Sequence, residues 1–137
     1  MMRQFIDTNL LIYSAIEYPT VENRKIRATE ILTTEDCAFS VQVLQEFYWQ
    51  VTHPKRLGRL SHKNALDYIS GFCKFPVQAM TLEVYKAALA TCHRYQISYW
   101  DAAIIEAARA LGCETILTED LQDGQDFGDL RVINPFR

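Results

Sequence analysis

The sequence is short of most of the features that mark the specialised protein classes. Among its 137 residues there are only 5 glycines and 4 prolines, too few for a collagen-like or low-complexity chain, and 49% hydrophobic content excludes a disordered one. No uncharged apolar run approaches the roughly 18 residues that cross a bilayer. The amino terminus, Met-Met-Arg-Gln-Phe-Ile-Asp, lacks the apolar core and small-residue cleavage site of a signal peptide. No membrane partner is therefore expected, and the expected compartment is the cytoplasm. The four cysteines, Cys37, Cys73, Cys92 and Cys113, form no C-x-x-C pair, so neither a zinc site nor a redox motif is written. They read as reduced, mostly buried residues. Positive charge is also scarce: 14 Lys and Arg against 17 acids leave a net charge of −3. By itself that balance argues against nucleic acid, because phosphate affinity comes from cations.

What is present is an alternation of short apolar strands and amphipathic helices. Strands are expected at Arg3–Ile6, Cys37–Ser40, Pro76–Met80, Glu114–Leu117 and Leu130–Ile133. Helices are expected over Leu10–Ile16, Thr20–Thr33, Val41–Val51, His62–Cys73, Leu82–Tyr95 and from Ser98 to Gly112. In Thr20–Thr33, Ile26, Ile31 and Leu32 are expected to face inward, with Arg24, Lys25, Arg27 and Glu30 outward. Pro54 ends one helix, Thr81 caps another, and Ser98-Tyr-Trp-Asp101 has the form of a capping box. Strands separated by helices, without a two-residue hairpin turn, predict a three-layer α/β/α sandwich. Its central sheet is mostly parallel with four to five strands, and residues 1–137 form one domain.

Four acids stand where acids are costly. Asp7 ends the first strand and Asp120 follows the Ile116-Leu117 strand, both at the carboxyl ends where parallel sheets gather ligands. Asp7 or Asn9 could equally cap a helix, and Asp120 could stabilise a turn. Asp101 shares a helical face with Ile104, Ile105 and Ala108, although it also suits the N3 position of its capping box. Glu46 is the only charge in Val41–Val51; pattern alone favours a solvated glutamate beside Gln42 and Gln50. Converging carboxylates raise one another's pKa, and Mg²⁺ or Mn²⁺ relieves that repulsion with hard oxygen ligands. No Ser-His-Asp or Cys-His set is legible, and His53, His62 and His93 read as surface or structural.

Phe5-Ile6-Asp7-Thr8-Asn9, then Glu46, Tyr99-Trp-Asp101-Ala-Ala-Ile-Ile105 and Leu117-Thr-Glu-Asp120 resemble the ordered acidic motifs of PIN-domain ribonucleases. The closing Val132-Ile-Asn-Pro-Phe136 is similar to the tail of the VapC-type toxin branch. The resemblance implies an Mg²⁺- or Mn²⁺-dependent endoribonuclease acting on RNA, with a cognate antitoxin as partner and pairing as a homodimer. It assigns Asp7, Glu46, Asp101 and Asp120 as metal-holding catalytic acids, with Glu119 and Asp123 as nearby competitors for the last. Thr8, Asn9 and Thr118 become the hydrogen-bonding groups that orient them. Lys55, Arg56 and Arg59, in a basic stretch after the Glu46 helix, are expected to contact RNA phosphates; a solvated loop is the alternative. Phe47, Tyr48 and Trp49 are expected to serve the core and a dimer or inhibitor groove.

Other readings remain. A haloacid-dehalogenase-like phosphatase also starts with an Asp after strand one, but needs a second Asp where Asn9 stands. A phosphoacceptor module lacks its acceptor Asp and Lys. A catalytically silent PIN-like module that binds RNA or protein is the third alternative.

Overall fold

The computed structural model describes residues 2–137. Its strands are β1 (Gln4–Ile6), β2 (Cys37–Ser40), β3 (Val77–Gln78), β4 (Thr115–Leu117) and β5 (Arg131–Ile133). Between them lie α1 (Thr8–Ala15), a 3₁₀ turn (Pro19–Val21), α2 (Glu22–Thr34), α3 (Val41–Val51), α4 (His62–Phe72), α5 (Leu82–Tyr95) and α6 (Tyr99–Ala110). The five strands form one sheet in the order β3-β2-β1-β4-β5, and every pairing is parallel. Among the described residues no helix is long and apolar enough to cross a membrane.

That strand order places the site. From β1 the chain winds outward through β2 to β3, then returns past β1 to add β4 and β5 on the other side. The reversal opens a crevice at the carboxyl ends of β1 and β4, where successive connections leave in opposite directions. Asp7 directly follows β1, and Thr118 directly follows β4. Phe5, Ile6, Phe39, Ile116 and Val132 are buried in the sheet, under Leu10, Leu11, Phe47 and Ile105 from the helices.

Local chemistry explains most element boundaries. Ser40, Ser61, Thr81 and Ser98 each accept a backbone N–H from the first turn of the helix they precede, and Asp7 does the same for α1. The first helix therefore begins at Thr8, earlier than the expected Leu10. Pro19 confines the next segment to a short 3₁₀ turn before α2. The third strand is shorter than Pro76–Met80 because only Val77 and Gln78 pair with β2.

The phase of α2 departs from expectation. Ile26 is 61% exposed, while Ala28 and Ile31 are buried. Val21, Lys25, Ala28 and Leu32 run along the inner side at helical spacing. Lys25 takes the place given to Ile26: its stem is half-buried and its Nζ donates to the Ser14 and Ile16 carbonyls at 3.4 and 3.3 Å, closing the end of α1. The cysteines also differ from a mostly buried set, since Cys37 and Cys113 are buried but Cys73 is exposed and Cys92 half-exposed.

Two devices hold loops near the crevice. Gly58 has a φ of 74°, and a side chain there would meet the Glu17 carbonyl oxygen at 2.9 Å, so only glycine lets this loop lie against the end of α1. At the far side, Arg109 binds Glu106, the Phe127 carbonyl and Asp129, with 3.1 Å from Nε to Asp129. Glu106 also accepts from Thr91 at 2.7 Å, so this buried acid is satisfied while it ties α5, α6 and the β5 approach together.

Candidate active site

The crevice gathers three of the four predicted acids into one hydrogen-bonded network. Asp7 Oδ1 accepts the Thr8 N–H at 2.7 Å, and Asp7 Oδ2 accepts the Thr118 hydroxyl at 2.8 Å. Thr8 then donates its own hydroxyl to Glu46 Oε2 at 2.8 Å, linking β1's acid to α3. Asn9 Nδ2 donates to Asp120 Oδ2 at 3.0 Å and to Thr118 Oγ1 at 3.2 Å. The Asp120 N–H also reaches Thr118 Oγ1, at 3.0 Å. A threonine hydroxyl has one proton and two acceptor lone pairs. With Asn9 and Asp120 both donating to it, the Thr118 proton is directed to Asp7.

Asp7 is only 9% exposed. Burial raises its carboxyl from the ordinary 3.8 to about 6, and the nearby Asp120 and Glu46 charges push the same way against the hydrogen bonds from Thr118 and Thr8. Asp7 thus caps α1 and joins the crevice network with the same carboxylate. Glu46 is not the freely solvated glutamate its pattern favoured. Its second oxygen accepts Gln42 Nε2 at 3.1 Å, and Gln42 also reaches the Trp100 carbonyl at 3.3 Å, so one amide spans from Glu46 to the start of α6.

Asp101 lies one residue beyond that contact, in the first turn of α6 and half-buried. Its backbone N–H donates to Ser98 Oγ at 3.1 Å, which makes the forward half of the capping box. The reciprocal bond from its carboxylate is not made, and among the described residues that carboxylate has no hydrogen-bond or ion-pair partner. The Trp100 carbonyl is the one link between this turn of α6 and the network, and Asp101 itself makes no contact with it among the described residues.

The competitors for Asp120 are engaged elsewhere. Glu119 accepts the Tyr13 hydroxyl and pairs with Arg24 at 3.2 Å, while Asp123 caps the Asn134 N–H at 2.7 Å. Of the three basic candidates, Arg56 lines the acidic cleft together with Thr8, Asn9, Glu46 and Asp120. Lys55 and Arg59 line neighbouring clefts instead. Phe47 is buried as expected and Tyr48 half-buried, with its hydroxyl 3.0 Å from His62 Nδ1. Tyr13 was not anticipated, nor was the part taken by Gln42, expected only as a neighbour of Glu46, or by Arg24, expected only to face outward. The signal for Gln42 was its position four residues before Glu46, and for Tyr13 the same spacing after Asn9.

The donor set suits a hard divalent cation. Every group in the network that could bind an ion offers oxygen, and the buried Asn9 Oδ1 has no hydrogen-bond partner. The Asn9 amide cannot turn to relieve this, since its nitrogen serves Thr118 and Asp120. Among the described residues no three His, Cys, Asp or Glu converge as a ready-made cage.

Residues 5–123 match the family model described as the PIN domain. No curated protein sequence matches the chain. Among solved structures, the fold is similar to a toxin–antitoxin complex from Klebsiella pneumoniae, with TM-score 0.70 and 16% identity over 96% of this chain and 97% of that one. It is similar to the sarcin–ricin-loop-cleaving toxin VapC20 of Mycobacterium tuberculosis, with TM-score 0.66 and 18% identity over 85% and 91%. DNA-bound VapBC from Salmonella typhimurium gives TM-score 0.66 and 17% identity over 96% and 97%.

Proposed function

The chain belongs to the PIN-domain family, and on that premise we propose that it is a divalent-metal-dependent endoribonuclease, the toxin of a toxin–antitoxin pair. One observation carries the reading: Asp7, Glu46 and Asp120 share a hydrogen-bonded network at the switch-point crevice, and Gln42 ties Glu46 to the Trp100 carbonyl in the turn of α6 that carries Asp101. Structural carboxylates seek cationic partners, yet no Lys or Arg pairs with any of these four among the described residues.

In this reading Asp7, Glu46, Asp101 and Asp120 hold Mg²⁺ or Mn²⁺. When bound, such a cation lowers the pKa of water and neutralises charge on the phosphodiester being hydrolysed. The protein's task is to aim the acids. Thr118 and the Thr8 N–H fix both oxygens of Asp7, Thr8 Oγ1 and Gln42 fix Glu46, and Asn9 holds Asp120 against the crevice. Arg56 contacts a substrate phosphate, with Lys55 and Arg59 farther along the strand. The net charge of −3 is compatible with RNA because four of the acids are matched by bound cations.

The phosphatase alternative loses its footing at Asn9. That position carries an amide whose nitrogen is already committed to Thr118 and Asp120, so it offers no acid–base proton.

An antitoxin is the expected partner, since one structural neighbour is described as a toxin–antitoxin complex and another as DNA-bound VapBC. A homodimer fits the outer face of α5, where Leu82, Tyr85 and Leu89 are exposed at helical spacing. Tyr85 meets Tyr99 edge-on and Tyr99 meets Trp100 edge-on, extending that apolar face onto α6. The nuclease reading is tested by incubating antitoxin-free protein with structured and single-stranded RNA in Mg²⁺, Mn²⁺ or EDTA. Cleavage only with metal supports it. Binding without cleavage under every condition would mark a silent module instead.

A further inference from the structure

Trp49 stands one turn beyond Glu46 on α3 and is 66% exposed, yet it lines the same acidic cleft. Helical phase puts it there. Val43, Phe47 and Val51 form the buried stripe of α3, so Gln42, Glu46 and Trp49 share the adjoining side at i, i+4 and i+7. The His53 ring meets the indole nearly at right angles, with centroids 5.9 Å apart, and steadies it. Tyr13, the other aromatic lining the cleft, is already committed. Its hydroxyl serves Glu119, and its ring packs edge-on against Phe136 beneath Arg24.

Arg56 completes the picture. Gln50 holds its Nε at 2.7 Å and its Nη2 at 2.8 Å, which orients the guanidinium. Although Glu46, Glu119 and Asp120 line the same cleft, Arg56 forms no ion pair among the described residues. A guanidinium carries five N–H donors, so several remain for an anion.

An open indole and an oriented, unpaired cation beside a carboxylate cluster match the two faces of a nucleotide. The base has a π surface that stacks on indole, and the phosphate takes the guanidinium. In a duplex the bases are stacked inside and cannot reach Trp49. Resting on the nuclease reading above, we propose that Trp49 is the platform on which one base of the substrate strand stacks beside the acids, its phosphate held by Arg56.

Trp49 and Trp100 are the only tryptophans, so Trp100→Phe leaves Trp49 as the sole indole reporter. Its fluorescence is followed on mixing with a single-stranded oligoribonucleotide, the fully paired duplex of that sequence, and an abasic oligomer of equal length. The single strand should quench it, and the other two should not. In cleavage assays Trp49→Ala should lower kcat/KM for the single strand at least about fivefold through KM, with Trp49→Phe restoring most of the loss. Quenching by the duplex or abasic oligomer to the same extent overturns the proposal. So does Trp49→Ala protein that cleaves the single strand like wild type, and in that case the nuclease reading stands. If Trp49→Ala weakens only binding of a peptide inhibitor, Trp49 belongs to a protein surface and the proposal is overturned. Wild-type protein that cleaves no RNA with either metal defeats the nuclease reading first.

Discussion

Thr118 directs its single hydroxyl proton to Asp7 Oδ2 at 2.8 Å, because both of its acceptor positions are occupied by N–H groups of Asn9 and Asp120. One fully buried side chain therefore sets the orientation of two acids and the amide between them. Thr118→Val keeps the shape and removes every one of these bonds. It should destabilise the protein by about 1–3 kcal/mol and weaken Mn²⁺ binding by roughly tenfold or more. Thr118→Ser should recover most of both, as read by thermal unfolding and calorimetric titration.

Asp7 carries the pH dependence of the metal-free protein. Its carboxyl is raised from 3.8 to about 6 chiefly by burial, so between those values the folded state binds the extra proton. Stability from this group is therefore highest below about pH 4 and falls as pH rises to about 6. At neutral pH the ionised group destabilises the fold by roughly 2–3 kcal/mol. Asp7→Asn removes that penalty and keeps an oxygen for the Thr8 N–H, at the smaller cost of the Thr118 bond. The variant should melt higher than wild type at pH 7.5 in EDTA, with the gap closing toward pH 4. Saturating Mg²⁺ should raise the melting temperature of wild type and not of Asp7→Asn.

How far the sequence reached depended on whether a feature was local. Both ends of α3 were legible because Ser40 caps its start and Pro54 bars its continuation; each acts within a few residues. Asp7, Asp101 and Asp120 were legible because each sits within three residues of an element boundary, whereas Glu46, midway along α3, stood out as the one charge in its helix. The hidden features were long-range. Nothing near Glu46 announces that Thr8 will donate to it across 38 positions, nor that Glu119 will turn to Tyr13 and leave Asp120 toward Asn9. The exposure of Ile26 was missed because Lys25 can bury its stem and cap α1 as well as an isoleucine can fill the stripe. Glu106, three residues before Arg109 in an alanine-rich run, was readable as a buried pair from spacing alone and was passed over.

The cysteines divide into two chemical classes. Burial raises the Cys37 thiol to about 12 and the Cys113 thiol to about 11, whereas Cys73 is exposed and Cys92 half-exposed. Only the thiolate attacks an alkylating reagent. Native protein treated with iodoacetamide at pH 8 should be modified at Cys73 first and Cys92 next, with Cys37 and Cys113 reacting only on unfolding. Peptide mass mapping reads this directly.

The α5 face gives the oligomeric state a defined lesion. Leu82→Arg combined with Leu89→Glu introduces charge on two exposed residues of the apolar stripe without touching the core. Light scattering should then report the 15.8 kDa chain mass where wild type reports twice that value. An unchanged mass would place the dimer contact elsewhere.

The most direct measurement compares the rate of RNA cleavage by wild type with Asp7→Asn, Glu46→Gln, Asp101→Asn and Asp120→Asn at saturating Mn²⁺, alongside their circular dichroism. Each substitution should lower the rate by about a hundredfold or more while the fold persists, and EDTA should abolish wild-type cleavage. Asp101→Asn is the most telling of the four, since its carboxylate has no structural partner whose loss could explain the effect. Cleavage that survives EDTA, or an Asp101→Asn protein as active as wild type, would contradict a metal-dependent site built from these acids.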